Sequence, residues 1–415
     1  MSRYEKYKAT NIEWIGEIPE HWQVKKLKYI GESIIGITYS PDDISDEENG
    51  LLVLRSSNIQ DGKLAFEDCV YVSKDVKEKH LTKEGDVLLC ARNGSAHLVG
   101  KSALIKKENT NITWGAFMSI FRSSIGEFAY QFFNSQIFKS QTGLFATSTI
   151  NQLTTDTLNN LFVPLPLPEE QTAIANYLNE KTAHIDKLIA NKQWLIELLE
   201  EEKTAIINYS INGVGKGWKR KKLKYVTSIN SESLSEKTDE NYSLRYIDIG
   251  SVDANGNIHS ITDYLFAEAP SRARRIVKEG DTILSTVRTY LKAIALIDDS
   301  NGNAICSTGF AVIRPLQELN SKFLFFICRS QKFIDAIISY SKGVSYPSID
   351  SEDLKNIEIE YPSLEIQTEI VESILSTSEP ILKTIEKIKR EIAYMQEFKA
   401  SLISEVVTGK QKVVN

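Results

Sequence analysis

Two stretches of the chain place apolar side chains at a seven-residue period. Leu178, Ile185, Lys192, Leu199 and Ile206 form the first series, with Leu188 and Leu195 between them. Ile374, Ile381, Ile388, Met395 and Leu402 form the second, with Ile385 and Ile392 between them. Such a period over about four heptads marks a coiled-coil seam. Each series therefore predicts a long helix, and two matched helices on one folded-back chain pair antiparallel. Gly213 and Gly409 suit C-caps. Thr182 and Ser378 suit N-caps, and Pro380 suits a first turn, where a missing N–H costs little. The pattern thus predicts a short helix, a break, and a helix of about 28 residues, roughly 42 Å long at 1.5 Å per residue.

The remaining pattern is different. Leu51-Leu52-Val53-Leu54 and Tyr246-Ile247-Asp248-Ile249 are apolar, strand-like runs, each followed by a glycine turn at Asp61-Gly62 or Asn255-Gly256. Glu84-Gly85-Asp86 and Glu279-Gly280-Asp281 open further strands, with glycine supplying the turn. Phe128 to Phe138 and Phe323 to Ile338 have the three- and four-residue spacing of amphipathic helices.

These elements occur twice. Trp22-Gln23-Val24-Lys25-Lys26-Leu27-Lys28-Tyr29 returns as Trp218-Lys219-Arg220-Lys221-Lys222-Leu223-Lys224-Tyr225, an offset of 218 − 22 = 196, and Lys83-Glu84-Gly85-Asp86 returns as Lys278-Glu279-Gly280-Asp281. A repeat of this size is a duplicated domain rather than a solenoid unit of about 20 to 50 residues. The predicted fold is α+β: two similar α/β domains in tandem, separated by a pair of long antiparallel coiled-coil helices with pseudo-twofold symmetry. The boundaries are an N-terminal segment 1–21, a first domain 22–168, a helical region 169–213, a second domain 214–364 and a helical region 365–411.

At 415 residues each repeat is large enough for its own core. There is no 18-residue apolar run and no apolar signal segment among residues 1–14, which predicts a cytoplasmic protein that does not meet a membrane. Cys69, Cys90, Cys306 and Cys328 lack metal or redox spacing, and the five histidines are scattered, so no metal site is expected. The net charge of −6 argues against a free-standing nucleic-acid binder. Lys216, Lys219, Arg220, Lys221, Lys222 and Lys224 nevertheless cluster at the repeat junction. Gly213-Val214-Gly215-Lys216-Gly217 follows a helix rather than a strand, so it reads as a linker and not a phosphate loop. No Asn/Asp-Pro-Pro-Tyr/Phe tetrad of base methylation is present, and no catalytic residue is expected.

Asn11-Ile12-Glu13-Trp14-Ile15-Gly16-Glu17-Ile18-Pro19-Glu20-His21-Trp22, together with Pro164-Leu165-Pro166-Leu167-Pro168-Glu169-Glu170-Gln171 leading into a helix, resembles the specificity subunits of type I restriction-modification systems. Tyr361-Pro362-Ser363-Leu364-Glu365-Ile366-Gln367 departs from the pattern by keeping one proline and part of the acidic pair. The resemblance spans nearly the whole chain. It implies two target-recognition domains, 22–168 and 214–364, each reading one half of an asymmetric bipartite site in double-stranded DNA, and helical regions that set the spacer. It also implies a non-catalytic chain carrying no cofactor, with two methyltransferase subunits and two restriction subunits as partners. S-adenosylmethionine, ATP and Mg would be held by those partners.

Base edges are read by forked or amide side chains on exposed loops, while lysine, serine and threonine mainly grip phosphate. Three places in each repeat offer such groups. The first is Arg92, Asn93 and Ser95, matched by Arg288, Thr289 and Tyr290. The second is Thr147 and Ser148, matched by Lys342, Ser345 and Tyr346, each ahead of a short helix. The third is Arg55, set against Asp248 to Ser251. The reading loops diverge while Trp22 to Tyr29 is closely copied, which predicts two different half-sites. A combined nuclease-methyltransferase fusion and a scaffold displaying two domains to protein partners are the alternatives.

Overall fold

Each Lys-Glu-Gly-Asp motif builds the same corner. Gly85 and Gly280 take left-handed φ values of 83° and 84°. The following aspartate turns back on its own turn: Asp86 accepts from the Lys83 N–H and Asp281 from the Lys278 N–H, both at 2.8 Å. The same two buried carboxylates receive arginine forks, Arg122 on Asp86 at 2.9 and 2.7 Å and Arg314 on Asp281 at 2.8 and 2.8 Å. A buried charge is tolerated only when paired in this way.

The computed structural model describes residues 2–143, 151–212, 217–343 and 346–413. It divides into two units, one running to Lys192 and resuming at Lys389, the other Gln193–Ile388. In the first unit a four-stranded antiparallel sheet runs Ser102–Leu104, Val87–Cys90, Met118–Arg122, Glu32–Ile35. A second sheet pairs Thr113–Trp114 in parallel with Leu51–Leu54, and Gln23–Lys26 pairs with Phe162–Leu165. The second unit repeats this order: Thr227–Ile229, Phe310–Pro315, Thr282–Ser285 and Ile294–Leu296, with Lys219–Lys222 on Glu358–Tyr361. The apolar run at Tyr246 ends as the strand Ser243–Ile247. No helix among the described residues is long and apolar enough to cross a membrane.

Each amphipathic stretch after the central sheet is two helices rather than one. The first holds α1 (Gly126–Phe133) and α2 (Gln136–Gly143), and the Ser135 hydroxyl accepts from the Phe138 N–H. The short helix α3 (Thr155–Asn160) precedes the strand Phe162–Leu165, and α4 spans Pro168–Ile211. In the second unit α5 (Ser321–Arg329) and α6 (Gln331–Tyr340) are separated by Ser330, which caps α6 through the Phe333 N–H. Then come α7 (Ser351–Asn356) and α8 (Leu364–Val407). A serine that satisfies the first amides of a new helix makes the break favourable.

The expected break inside each long helix does not occur. Thr182 lies within α4 and donates to the Leu178 carbonyl at 2.7 Å, a helix-interior bond. Ser378 and Pro380 lie within α8. A mid-helix proline costs about 3 kcal/mol, but Ile374, Ile381 and Ile385 are buried on both sides of it, each worth about 1.5–3 kcal/mol. Packing therefore carries the helix through the proline.

In the first unit Ile174, Leu178 and Ile185 share a core with Leu402, Ile403, Val406 and Val407, with Met395 against it. Asp186 meets Lys399 at 2.5 Å and Lys192 meets Glu391 at 2.6 Å. Partners advance on α4 as they recede on α8, so the helices are antiparallel. Lys192, at a heptad position, is a polar pair of the kind that sets register. In the second unit Ile207 and Ile211 join Val371 and Ile374, and Ile388 is also buried. Leu199 and Ile206 are half-buried and Leu188 is exposed. A straight helix drifts about 20° per heptad, about 80° between Leu178 and Ile206. One residue turns the helix by about 100°, so Ile207 lies nearer the buried face than Ile206.

Gly409, with φ 70°, ends α8; Gly213 falls outside the described residues. The N-terminal segment forms a hairpin, Tyr7–Ala9 on Glu17–Pro19, and Tyr7 donates to the Gly409 carbonyl at 2.9 Å. Glu170, in the first turn of α4, accepts from Tyr4 at 2.8 Å and from the Trp22 indole at 3.1 Å, and lies 3.0 Å from His21.

Candidate nucleic-acid interface

In the first unit the fully buried strand Val87–Cys90 delivers the chain to Arg92. Arg92 makes an antiparallel bridge to Gln152. Asn93 N–H donates to the Asn151 carbonyl at 3.3 Å, and the Asn151 amide donates to Gly94 at 3.0 Å. The Asn93 side chain reaches the Ser56 hydroxyl at 3.1 Å and accepts from Ser95 N–H at 3.0 Å. The first predicted place is thereby brought against Asn151, three residues past Ser148, and against the loop of the third. Thr147 and Ser148 lie outside the described residues.

This geometry separates the candidates by what their polar atoms already do. Asn93 is consumed by loop structure, and Ser95 is exposed beside it. Arg55 is tied to Asp68 at 2.7 Å, which compensates its charge locally. Arg92 is exposed and makes no ion pair among the described residues. Its guanidinium lies 5.2 Å from the centre of the Phe117 ring, and that ring is 61% exposed at the start of Met118–Arg122. An exposed phenylalanine under an arginine holds the planar fork in one attitude while leaving its donors outward.

The second unit reaches a similar arrangement by other residues. The position in the bridge of Arg92 is held by Val287, which pairs with Ser348. Arg288 is one residue further along, so it does not occupy the place of Arg92. Its backbone is left-handed at φ 49°, ψ 51°, and its N–H donates to Pro347 at 2.8 Å. A non-glycine residue is held there only when its surroundings over-determine it, and such strain clusters at ligand-contacting loops. The Arg288 guanidinium lies 4.7 Å from the Tyr346 ring, which is 66% exposed. Thr289 is buried and bonds Ser341 at 3.1 Å, while Tyr290 is exposed. Lys342 is held by Asp353 at 2.9 Å and Asp350 at 3.5 Å, which push its pKa up. Ser345 lies outside the described residues.

Phe117 was not legible as a partner of Arg92, because a single aromatic after Gly115-Ala116 carries no periodic signal. The register Val87↔Phe121 against Thr282↔Ile313 aligns Phe117 with Gly309. The ring under the arginine therefore comes from a sheet turn in one unit and from the loop before α7 in the other. Such a fork can present two parallel donors to guanine O6 and N7, or to a phosphate.

The two α/β units are alike in sheet order and unlike in the residues around an exposed arginine. Residues 19–198 and 215–394 each match the type I restriction modification DNA specificity domain, and the chain belongs to that family. It is 22% identical over 420 residues to the type I restriction enzyme EcoKI specificity subunit of Escherichia coli K12, covering 95% of this chain and 90% of that one. It is 26% identical over 442 residues to the putative type I restriction enzyme MjaX specificity subunit of Methanocaldococcus jannaschii, covering 99% and 97%. A solved chain from work on complex assembly and conformational transition of the type I R-M system shares the fold. That chain has a TM-score of 0.71 at 15% identity, over 95% of this chain and 99% of its own length.

Proposed function

We propose that the chain is the specificity subunit of a type I restriction-modification complex and that each unit reads one half of an asymmetric bipartite site in double-stranded DNA. The observation that carries this reading is the pairing of a repeated scaffold with unlike reading ends, Arg92 on Phe117 and Arg288 on Tyr346. Arg92 and Arg288 are the base readers, since among the described residues neither is paired with a carboxylate. Arg55 and Lys342, held by acids, serve loop structure or phosphate. The chain performs no chemistry: methyltransferase subunits bring S-adenosylmethionine, and restriction subunits bring ATP and Mg.

The long antiparallel helices act as the spacer ruler. At 1.5 Å per residue each 44-residue helix spans about 66 Å, which matches about nineteen base pairs at the 3.4 Å rise of duplex DNA. With a net charge of −6 the chain alone binds DNA weakly, and its partners supply much of the phosphate grip.

Gel-shift and methylation mapping of the chain assembled with its methyltransferase subunits test the reading. Sequence-specific, salt-sensitive binding to two unlike half-sites is expected. No binding at low salt would leave a protein scaffold instead, and identical half-sites would refute the asymmetry. Removing one heptad between Ile185 and Ile206 is expected to alter the spacer or abolish activity without changing either half-site.

A further inference from the structure

Outside the reading loops, one surface is copied between the units in sequence, exposure and geometry together. Leu27-Lys28-Tyr29 and Leu223-Lys224-Tyr225 are both 3-10 turns with the leucine buried and the lysine and tyrosine exposed. The tyrosines are 70% and 63% exposed, and the lysine ammonium lies 5.4 Å from the ring centre in each. Lys28 donates to the Asn160 side-chain oxygen at 3.5 Å, and Lys224 to that of Asn356 at 3.1 Å. All three positions are related by the same offset of 196. Each asparagine is oriented by its own helix, through the carbonyl of Asp156 or Glu352, both at 2.9 Å.

A buried leucine explains itself by packing, but a large ring left in water does not. The lysines are also uncompensated: among the described residues none of Lys25, Lys26, Lys28, Lys222 or Lys224 is in an ion pair. Their neighbours Lys219, Arg220 and Lys221 are paired with Glu318, Glu358 and Glu360. In the first unit the Asp156 carboxylate accepts from the Asn160 amide at 3.2 Å. In an acidic chain, two matched positive patches need an anionic counterpart that is the same for both units, although their reading loops differ.

We propose that Lys28, Tyr29 and Asn160, and equally Lys224, Tyr225 and Asn356, grip the sugar-phosphate backbone of the duplex independently of sequence. This rests on the reading of the chain as a DNA specificity subunit. Each patch lies at the far end of a six-residue helix whose near end follows the reading loop, about 9 Å away at 1.5 Å per residue. A major groove is about 12 Å wide, so a loop seated in it leaves the patch beside the flanking phosphates. The tyrosine ring holds the ammonium in place, and its hydroxyl adds a neutral donor. Phosphate is the one DNA feature that does not change between half-sites.

The test uses the full chain assembled with its methyltransferase subunits, binding a specific and a scrambled duplex at several salt concentrations. Each lysine neutralising one phosphate contributes about 0.9 to the slope of log K against log salt. Lys28→Gln with Lys224→Gln should therefore reduce the slope by about 1.8 on both duplexes, leaving base preference unchanged. Between 50 and 200 mM salt the double variant should lose about 12-fold less affinity than wild type. Lys28→Arg with Lys224→Arg should keep the wild-type slope. An unchanged slope in an intact assembly overturns the grip while leaving the specificity reading in place. Loss of the methyltransferase subunits on gel filtration overturns it in favour of protein docking. Absence of specific binding by the wild type overturns the parent reading and the grip with it.

Discussion

If Phe117 acts by holding Arg92, removing the ring must matter only while the arginine is present. The 5.2 Å stack is solvent-exposed, where a cation–π contact is worth about 0.5–1 kcal/mol. Phe117→Leu should therefore weaken discrimination at one base pair of the first half-site by about 2- to 5-fold. Arg92→Ala removes a bidentate reader worth about 1–3 kcal/mol, or about 5- to 150-fold. Combined, the two changes should cost no more than Arg92→Ala alone, so the coupling energy should equal the whole effect of Phe117→Leu. Phe117→Tyr should be silent. The assay is equilibrium binding of the assembled complex to duplexes varied one base pair at a time. Additive losses would refute the positioning role, as would an equal loss at every base pair or an effect on the second half-site.

Three further outcomes follow from local geometry. Gly409→Ala adds a Cβ 2.5 Å from two Pro19 ring carbons in a left-handed position, and thermal denaturation should show a loss of about 1–3 kcal/mol. Gly85→Ala meets nothing within 4 Å and should cost less; equal losses would discount the Pro19 contact. Bonds from Lys221, Tyr361 and Lys219 hold the exposed Glu318 carboxyl at about 2, below its ordinary 4.5. A depressed pKa stabilises the fold above the unfolded value, so this contribution is lost as pH falls from about 4.5 through 2. Acid titration of Glu318→Gln should be shallower in that window, and an unchanged profile would contradict the assignment. Burial raises the thiols of Cys90, Cys328 and Cys306, the last to about 12. Alkylation of the native chain should label Cys69 first, and Cys69→Ser should remove the fast phase.

Much of the fold was readable because it rests on short-range rules. The Lys-Glu-Gly-Asp corners required a left-handed residue and a carboxylate three positions after the lysine, and both lie within four residues. The candidate site was less legible. Arg92 stood out by type and by its place after a strand, but its ring partner is 25 residues away in sequence, brought close by the pairing of Val87–Cys90 with Met118–Arg122. Arg55 and Lys342 were indistinguishable from Arg92 until Asp68, Asp350 and Asp353 were found beside them.

The chain's linear order determines the duplication, the α/β class, the antiparallel helical seam and the approximate ends of its elements. Periodicity and repetition are properties of that order. Tertiary packing decided the rest. It carried α8 through Pro380, moved the buried position from Ile206 to Ile207, and paired Arg55 with Asp68 while stacking Arg92 on Phe117. These outcomes depend on which surfaces meet, and on burial energies that outweigh local preference. A proline or an arginine has one meaning in a list of residues, and another once its neighbours across the fold are in place.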